Sequence, residues 1–342
     1  MSHIHRFPLP SPDDFDAQQT LDCGQAFRFQ LQEDGSYAGV AGSHPCRIWQ
    51  EGAAVVVECS CNEDDCAPFW RRYLDLGRDY GALKLILRQD PVMEKAVSFC
   101  PGMRLLRQDE WETLCSFILS QNNNIKRIKG IIATLCKEFG QKLHGGQYAF
   151  PAPRDLAGRT LGELGVLRAG FRAKYLLDAA QKVASGELEL RSLYSLPLGE
   201  AKERLMTIHG VGPKVADCVL LYGYGKVECI PKDVWIKRAL AILYPDGFPA
   251  ALEAVGGLAQ QYLFHYCRTC PQALEEPRAL AGEDTREHIM SFEARSFYEA
   301  IGDPARNREK VEELCALACE VSGAMETIRR QAGIRFPSDI QD

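Results

Sequence analysis

The stretch Leu205–Lys237, LMTIHGVGPKVADCVLLYGYGKVECIPKDVWIK, decides the fold of this chain. Leu198, Ala201, Leu205 and Ile208 lead into it at the spacing of one helix face. His209-Gly210-Val211-Gly212 then requires a tight reversal. Pro213 suits the first position of a second helix, where its missing N–H costs nothing. Val215, Cys218, Val219 and Tyr222 carry that helix onward. Two amphipathic helices joined by Gly-Val-Gly spell a helix-hairpin-helix over residues 198–224. The amides of Gly210, Val211 and Gly212, with the helix N-terminus, suit a DNA phosphate.

Two residues beside the hairpin carry possible chemistry. Lys214 opens the second helix, where it can bind phosphate or act as a nucleophile. The second role requires a neutral amine. Asp233 follows Pro231-Lys232 and reads equally as the N-cap of a third helix or as an active-site carboxylate. Asp217, one turn from Lys214, reads as structural.

Upstream, the pattern is helical from Pro101. Asp109 to Leu119 has an acidic first turn and places Trp111, Leu114, Cys115 and Ile118 on one face. Ser120-Gln121-Asn122-Asn123-Asn124 then separates it from a helix over Ile125 to Phe139. Lys126, Arg127 and Lys129 oppose that helix's dipole, which points to a bound anion. The asparagines suit either capping or the space left by an extruded base. Ala169-Gly170-Phe171-Arg172-Ala173-Lys174 sets an aromatic ring among cations, as on nucleic-acid surfaces.

The first third reads differently. AFRFQLQ alternates apolar and polar residues, and SYAGVAG, CRIWQ and AAVVVECS follow with short turns, spelling an antiparallel meander. Asp64 to Leu74 and Gly81 to Leu87 read as helices. Gly24 would permit close backbone approach to a ligand or serve an ordinary turn. Cys59, Cys61 and Cys66 could ligate a metal, but no His lies nearby in sequence at a usual spacing, so no metal site is expected. A four-cysteine site from Cys267, Cys270, Cys315 and Cys319 is likewise not expected, because both pairs fit helical faces.

The expected fold class is therefore α+β. An N-terminal antiparallel β-sheet domain with helices (1–95) precedes a mainly α-helical helix-hairpin-helix domain (96–277). A helical C-terminal extension (278–342) of unread role follows. The longest apolar runs fall far short of the ~20 residues of a membrane span, and the start, MSHIHRFPLPSPDD, has no secretory apolar core. Fourteen cysteines in a chain of 342 residues without an export signal read as reduced thiols. The expected location is the bacterial cytoplasm or, in a eukaryote, the nucleus. Net charge is −6, yet residues 101–270 hold 22 Lys/Arg against 16 Asp/Glu. A polyanion can therefore bind the middle alone.

The segments GQAFRF, MRLLRQD, SFILSQNNNIKRI, GFRAKY, GVGPKVADCVLL, PKDV and AQQYLF resemble, in order, those of the 8-oxoguanine DNA glycosylase/AP lyase family of the helix-hairpin-helix glycosylases. The resemblance implies that Lys214 attacks the sugar C1′ to form a Schiff base, and that Asp233 supports it. It implies a base pocket of Gly24, whose carbonyl accepts the N7–H of 8-oxoguanine, with Cys218 and Phe264 sandwiching the base and Gln260 reading its Watson–Crick edge. Asn122 would fill the gap, Arg127 and Arg172 read the opposite cytosine, and Phe171 wedge into the stack. The implied partner is duplex DNA containing 8-oxoguanine opposite cytosine, with a monomeric protein and no membrane. No cofactor is required, although a structural cation on the hairpin carbonyls fits the family. Trp235, Tyr222 and Pro213 depart from the pattern, standing for a histidine, a smaller pocket residue and a hydroxyl residue. The alternatives are an alkylated-base glycosylase, which needs Asp233 but not Lys214, and a non-catalytic DNA-binding module.

Overall fold

The computed structural model describes residues 3–60 and 63–274, with side chains from residue 66 in the second segment. The expected tail helices, Cys61, Cys315 and Cys319 lie outside the described residues.

Five strands, β1 (His3–Pro8), β2 (Gln30–Leu31), β3 (Tyr37–Ala41), β4 (His44–Gln50) and β5 (Ala54–Cys59), form one antiparallel sheet in the order β1-β5-β4-β3-β2. The last four make the expected meander, and β1 is an additional edge strand. Register places Tyr37, Ile48 and Val57 side by side, and alternation sets Val55 and Cys59 on the same face. A short helix α1 (Ala17–Leu21) precedes the meander, and α2 (Glu63–Tyr73) follows it. Trp70 of α2, fully buried, packs with Phe7, Ile48, Val55 and Val57 in the sheet's core. A residue of that size contributes roughly 1.5–3 kcal/mol by leaving water.

The alternating segment from Ala26 to Gln32 forms a strand only at Gln30–Leu31. Its alternation arises because the segment runs between two cores. Phe27 enters the helical core, while Ala26 and Phe29 enter the sheet core. Gln25 holds the segment in place of a strand neighbour. Its Nε2 donates to the Thr20 and Arg104 carbonyls, each at 2.7 Å, and its Oε1 accepts from the Leu106 amide at 2.8 Å.

Helices then follow in series: α3 (Tyr80–Leu87), α4 (Pro91–Phe99), α5 (Glu110–Ser120), α6 (Ile125–Phe139), α7 (Pro153–Ala157), α8 (Arg172–Ser185), α9 (Leu198–Met206), α10 (Pro213–Tyr222), α11 (Val234–Leu243) and α12 (Gly256–Thr269). Asp109 caps α5 by accepting from the Glu112 amide, and Asn124 caps α6 by accepting from Arg127, so the polar run between them ends one helix and starts the next. Helix α5 is buried along its length and packs against α6, α8 and α10. It is the post around which the helical core is built.

Candidate active site

A cavity of about 250 Å³ opens between the end of α5 and the starts of α10 and α11. Its lining includes Gly24, Lys214, Cys218, Asp233, Gln260 and Phe264. Six residues spread over more than two hundred positions of sequence therefore meet in one place.

Each is placed by its local structure. Lys214 follows Pro213 in the first turn of α10 and is half-buried. Its Nζ lies 5.3 Å from the centre of the Phe117 ring and 3.5 Å from Ser120 Oγ. Asp233 is the N-cap of α11, with Oδ1 accepting from the Ile236 amide at 2.8 Å. It thus caps a helix and faces the cavity at once. Cys218 is one turn beyond Lys214, and burial pushes its thiol up to about 11 while the Lys214 charge pulls the other way. Asp217 turns aside to an ion pair with Lys202 at 2.6 Å, as a structural residue would.

Gly24 has φ +88°, and a Cβ there would lie 3.1 Å from Ile125 Cδ1 and 3.2 Å from Phe264 Cε1. Both the backbone conformation and the close packing call for glycine. Gln260 and Phe264 stand one turn apart on α12. The Gln260 Oε1 is buried and has no hydrogen-bond partner among the described residues. An unpartnered buried acceptor in a cavity wall marks a place for a ligand's donor.

Sequence reasoning missed Arg268, Phe117 and Gln261 in the wall, whereas Tyr222 and Trp235 are already named by the resemblance. Arg268 continues the 260–264 step by one more turn of α12 and lies 5.9 Å from the Phe264 ring centre. Following that helix face would have found it. Tyr222 stacks on Phe117 at 5.2 Å and donates to Gln261 Oε1, while Gln261 Nε2 donates to the Cys23 carbonyl at 3.2 Å. No local pattern signals that brace. Trp235 lines the mouth and is partly exposed.

The loop before α6 forms the rim. Asn122 is exposed with φ +47°, and its carbonyl accepts from Arg172 Nη2 at 2.7 Å. Arg172 is only 3% exposed; its Nε donates to the Gln121 carbonyl at 2.6 Å and its Nη1 to that of Ala169 at 3.1 Å. Three of the five guanidinium hydrogens are thereby occupied. Phe171 is 47% exposed beneath that guanidinium, with 4.5 Å to the ring centre. Arg127 Nη2 donates to the Arg168 carbonyl at 3.1 Å. Of the cations near the start of α6, Lys129 is satisfied by Asp22 at 2.7 Å, whereas Lys126 and Arg127 are exposed.

The hairpin stands behind α8. Gly210 has φ +80°, and a Cβ would overlap the Tyr175 ring. The Val211 amide donates to the Ile208 carbonyl at 3.0 Å and closes the turn. Gly212 begins α10 in an extended conformation and brings no side-chain cap to its first amides.

Residues 8–114 match the model of the 8-oxoguanine DNA glycosylase N-terminal domain, and residues 115–247 match that of the HhH-GPD superfamily of base excision DNA repair proteins. The chain is 30% identical to an Arabidopsis thaliana N-glycosylase/DNA lyase over 72% of each protein. The chain belongs to the 8-oxoguanine DNA glycosylase family. It is also 40% identical to a Saccharomyces cerevisiae N-glycosylase/DNA lyase over 152 residues, spanning about 40% of that protein's length and 40% of this chain. A Clostridium acetobutylicum 8-oxoguanine glycosylase/lyase, solved with duplex DNA carrying cytosine opposite 8-oxoguanine, superposes with a TM-score of 0.70. Identity there is 40%, covering 75% of this chain and 92% of that one. Both halves of the family architecture, sheet and hairpin, are thus present. No described helix is long and apolar enough to cross a membrane.

Proposed function

We propose that the protein excises 8-oxoguanine paired with cytosine from duplex DNA and nicks the strand at the abasic site. The observation that carries this reading is the shared cavity of Lys214, Asp233, Gly24 and Gln260. A non-catalytic DNA-binding module has no need of such a cavity. An alkylated-base glycosylase has no need of Lys214.

The flipped nucleotide places its base between Cys218 and Phe264. Gln260 Oε1, unpartnered in the protein alone, accepts a hydrogen bond from the Watson–Crick edge. The Gly24 carbonyl accepts N7–H; guanine presents a lone pair there, and the lost bond costs about 1–3 kcal/mol. Flipping costs a few kcal/mol of stacking and pairing. Phe171 at the step, Asn122 in the vacated space, and Arg127 and Arg172 on the orphaned cytosine offset that cost.

The neutral Lys214 amine attacks C1′ as the C1′–N9 bond breaks and the base departs with a proton. Asp233 stabilises the positive charge developing on the sugar. Loss of a proton from nitrogen and opening of the sugar ring give the Schiff base. Removal of a C2′ proton then expels the 3′ phosphate by β-elimination. No step calls for a metal or organic cofactor, and a cation on the hairpin carbonyls would serve DNA binding alone. The protein acts as a monomer in the compartment that holds the DNA.

Borohydride reduction on a duplex with 8-oxoguanine opposite cytosine tests the reading. The native chain gives a covalent adduct, and Lys214→Gln gives none. Trapping by Lys214→Gln, or base release at the native rate, would remove the nucleophile from its role. Native protein that releases 3-methyladenine without forming an adduct would favour the alkylated-base reading.

A further inference from the structure

Three metal-binding groups from three separate elements meet beside the edge of the sheet, away from the cavity. His5 lies on β1, Cys59 ends β5, and Cys66 is on α2. The pairing of His3 with Cys59 puts His5 and Cys59 on one face of the sheet. Helix α2 covers that face with Cys66 and, one turn on, Trp70. The ligand atoms of His5, Cys59 and Cys66 all lie within 4.8 Å of one another.

The local chemistry separates this cluster from ordinary buried thiols. His5 Nε2 is buried with no hydrogen-bond partner among the described residues, and an orphaned imidazole nitrogen in a core demands an explanation. The two sulfurs are 3.4 Å apart, and Trp70 Nε1 donates to Cys59 Sγ at 3.2 Å. An N–H donor aimed at sulfur is what supports a thiolate ligand from outside the coordination sphere. Zinc–thiolate bonds of about 2.3 Å in tetrahedral geometry set sulfurs roughly 3.8 Å apart. The cluster reaches that with movements of a few tenths of an ångström. Sequence spacing does not bring these groups together, because the histidine reaches the cysteines through the pairing of β1 with β5, some fifty residues apart.

We propose that, in the reduced chain, His5 Nε2, Cys59 Sγ and Cys66 Sγ bind a zinc ion that fastens α2 to the sheet. Cys66 is disulfide-bonded in this structure, so disulfide and metal are alternative states of one thiol. A phosphine reductant converts the first into the thiols that the second needs. Phosphorus gives two electrons to the S–S bond, and water supplies two protons to the thiols and the oxygen of the phosphine oxide. Zinc then displaces the protons of Cys59 and Cys66 and takes the free electron pair of His5. Its charge is unchanged throughout.

The test uses the full chain, reduced with a phosphine, desalted, loaded with zinc or cobalt and dialysed. Native protein should retain about one zinc per chain by elemental analysis and show a thiolate-to-cobalt charge-transfer band. His5→Phe, which keeps a ring on the strand, and Cys66→Ser should each lose metal and band by more than about tenfold. Zinc should raise the melting temperature of the native chain and leave that of His5→Phe unmoved. Untreated protein, with Cys66 oxidised, should load far less zinc than reduced protein. Reduced native protein holding under a tenth of that zinc, or His5→Phe binding it fully, would overturn the proposal. If Cys66→Ser fails to fold, His5→Phe and the cobalt band still decide.

Discussion

Gln260→Leu should make the DNA-free protein more stable and a poorer enzyme. The buried, unpartnered Gln260 Oε1 represents a desolvated acceptor, which costs about 1–3 kcal/mol. Leucine matches glutamine in helix propensity and removes the acceptor, so a gain of about 1 kcal/mol is expected after allowing for imperfect packing. For a folded unit of this size that is an upward shift in melting temperature of about 2–4 °C. The same substitution removes the acceptor proposed to read the flipped base, so single-turnover excision should fall about 10- to 100-fold. Calorimetry of DNA-free protein gives the first quantity, and excision on an 8-oxoguanine–cytosine duplex gives the second. A lower melting temperature would show that Oε1 serves the fold. Unchanged excision would show that it does not read the base.

Gly210→Ala should lose about 2–4 kcal/mol, from positive-φ strain and overlap with the Tyr175 ring. Gly212→Ala, with φ −102° and nothing within 4 Å of the added carbon, should lose under about 1 kcal/mol; equal melting temperatures for the two would refute this account of the hairpin. Burial holds Glu112 at about 7 against an ordinary value of 4.5, with Arg28 at 3.1 Å opposing it only in part. The native state therefore keeps a proton that the unfolded chain has lost, and this contribution is present at low pH and fades as pH rises from about 4.5 to about 7. Thermal unfolding across that window should show a slope that Glu112→Gln flattens; a slope that persists in the variant assigns it to other groups.

Local signals in the sequence carried much of the fold. Helix α6 runs from Ile125 to Phe139 as expected, because Asn124 caps one end and Gly140 closes the other. Glycine φ angles and the proline at the start of α10 fixed the hairpin in the same local way. What was not legible depends on pairing across the chain. The alternation after Gln25 resembled a strand because it served two cores in turn. Edge strand β1 finds its partner some fifty residues on. At the site, the hairpin and the cap single out Lys214 and Asp233 as candidates while leaving their roles open. The resemblance supplied Gly24, Gln260 and Phe264, and Arg268 needed only one more step along its helix. The occupied guanidinium of Arg172 needed the structure, since nothing in GFRAKY says that its donors are held by loop carbonyls.

The hydrogen bond from Gln261 to the Cys23 carbonyl joins positions 238 residues apart, and this has a consequence for synthesis. The wall at Gly24 leaves the ribosome early, whereas α12 arrives after the whole hairpin has been made. Closing so long a loop is entropically costly, and contacts of such separation form late in folding. The nascent chain can therefore assemble its sheet and its hairpin while the cavity still lacks a side. Completion of the cavity coincides with closure of the chain on itself, so a product stalled before α12 would lack the wall that Gln260 and Phe264 supply, and with it the proposed means of selecting a lesion.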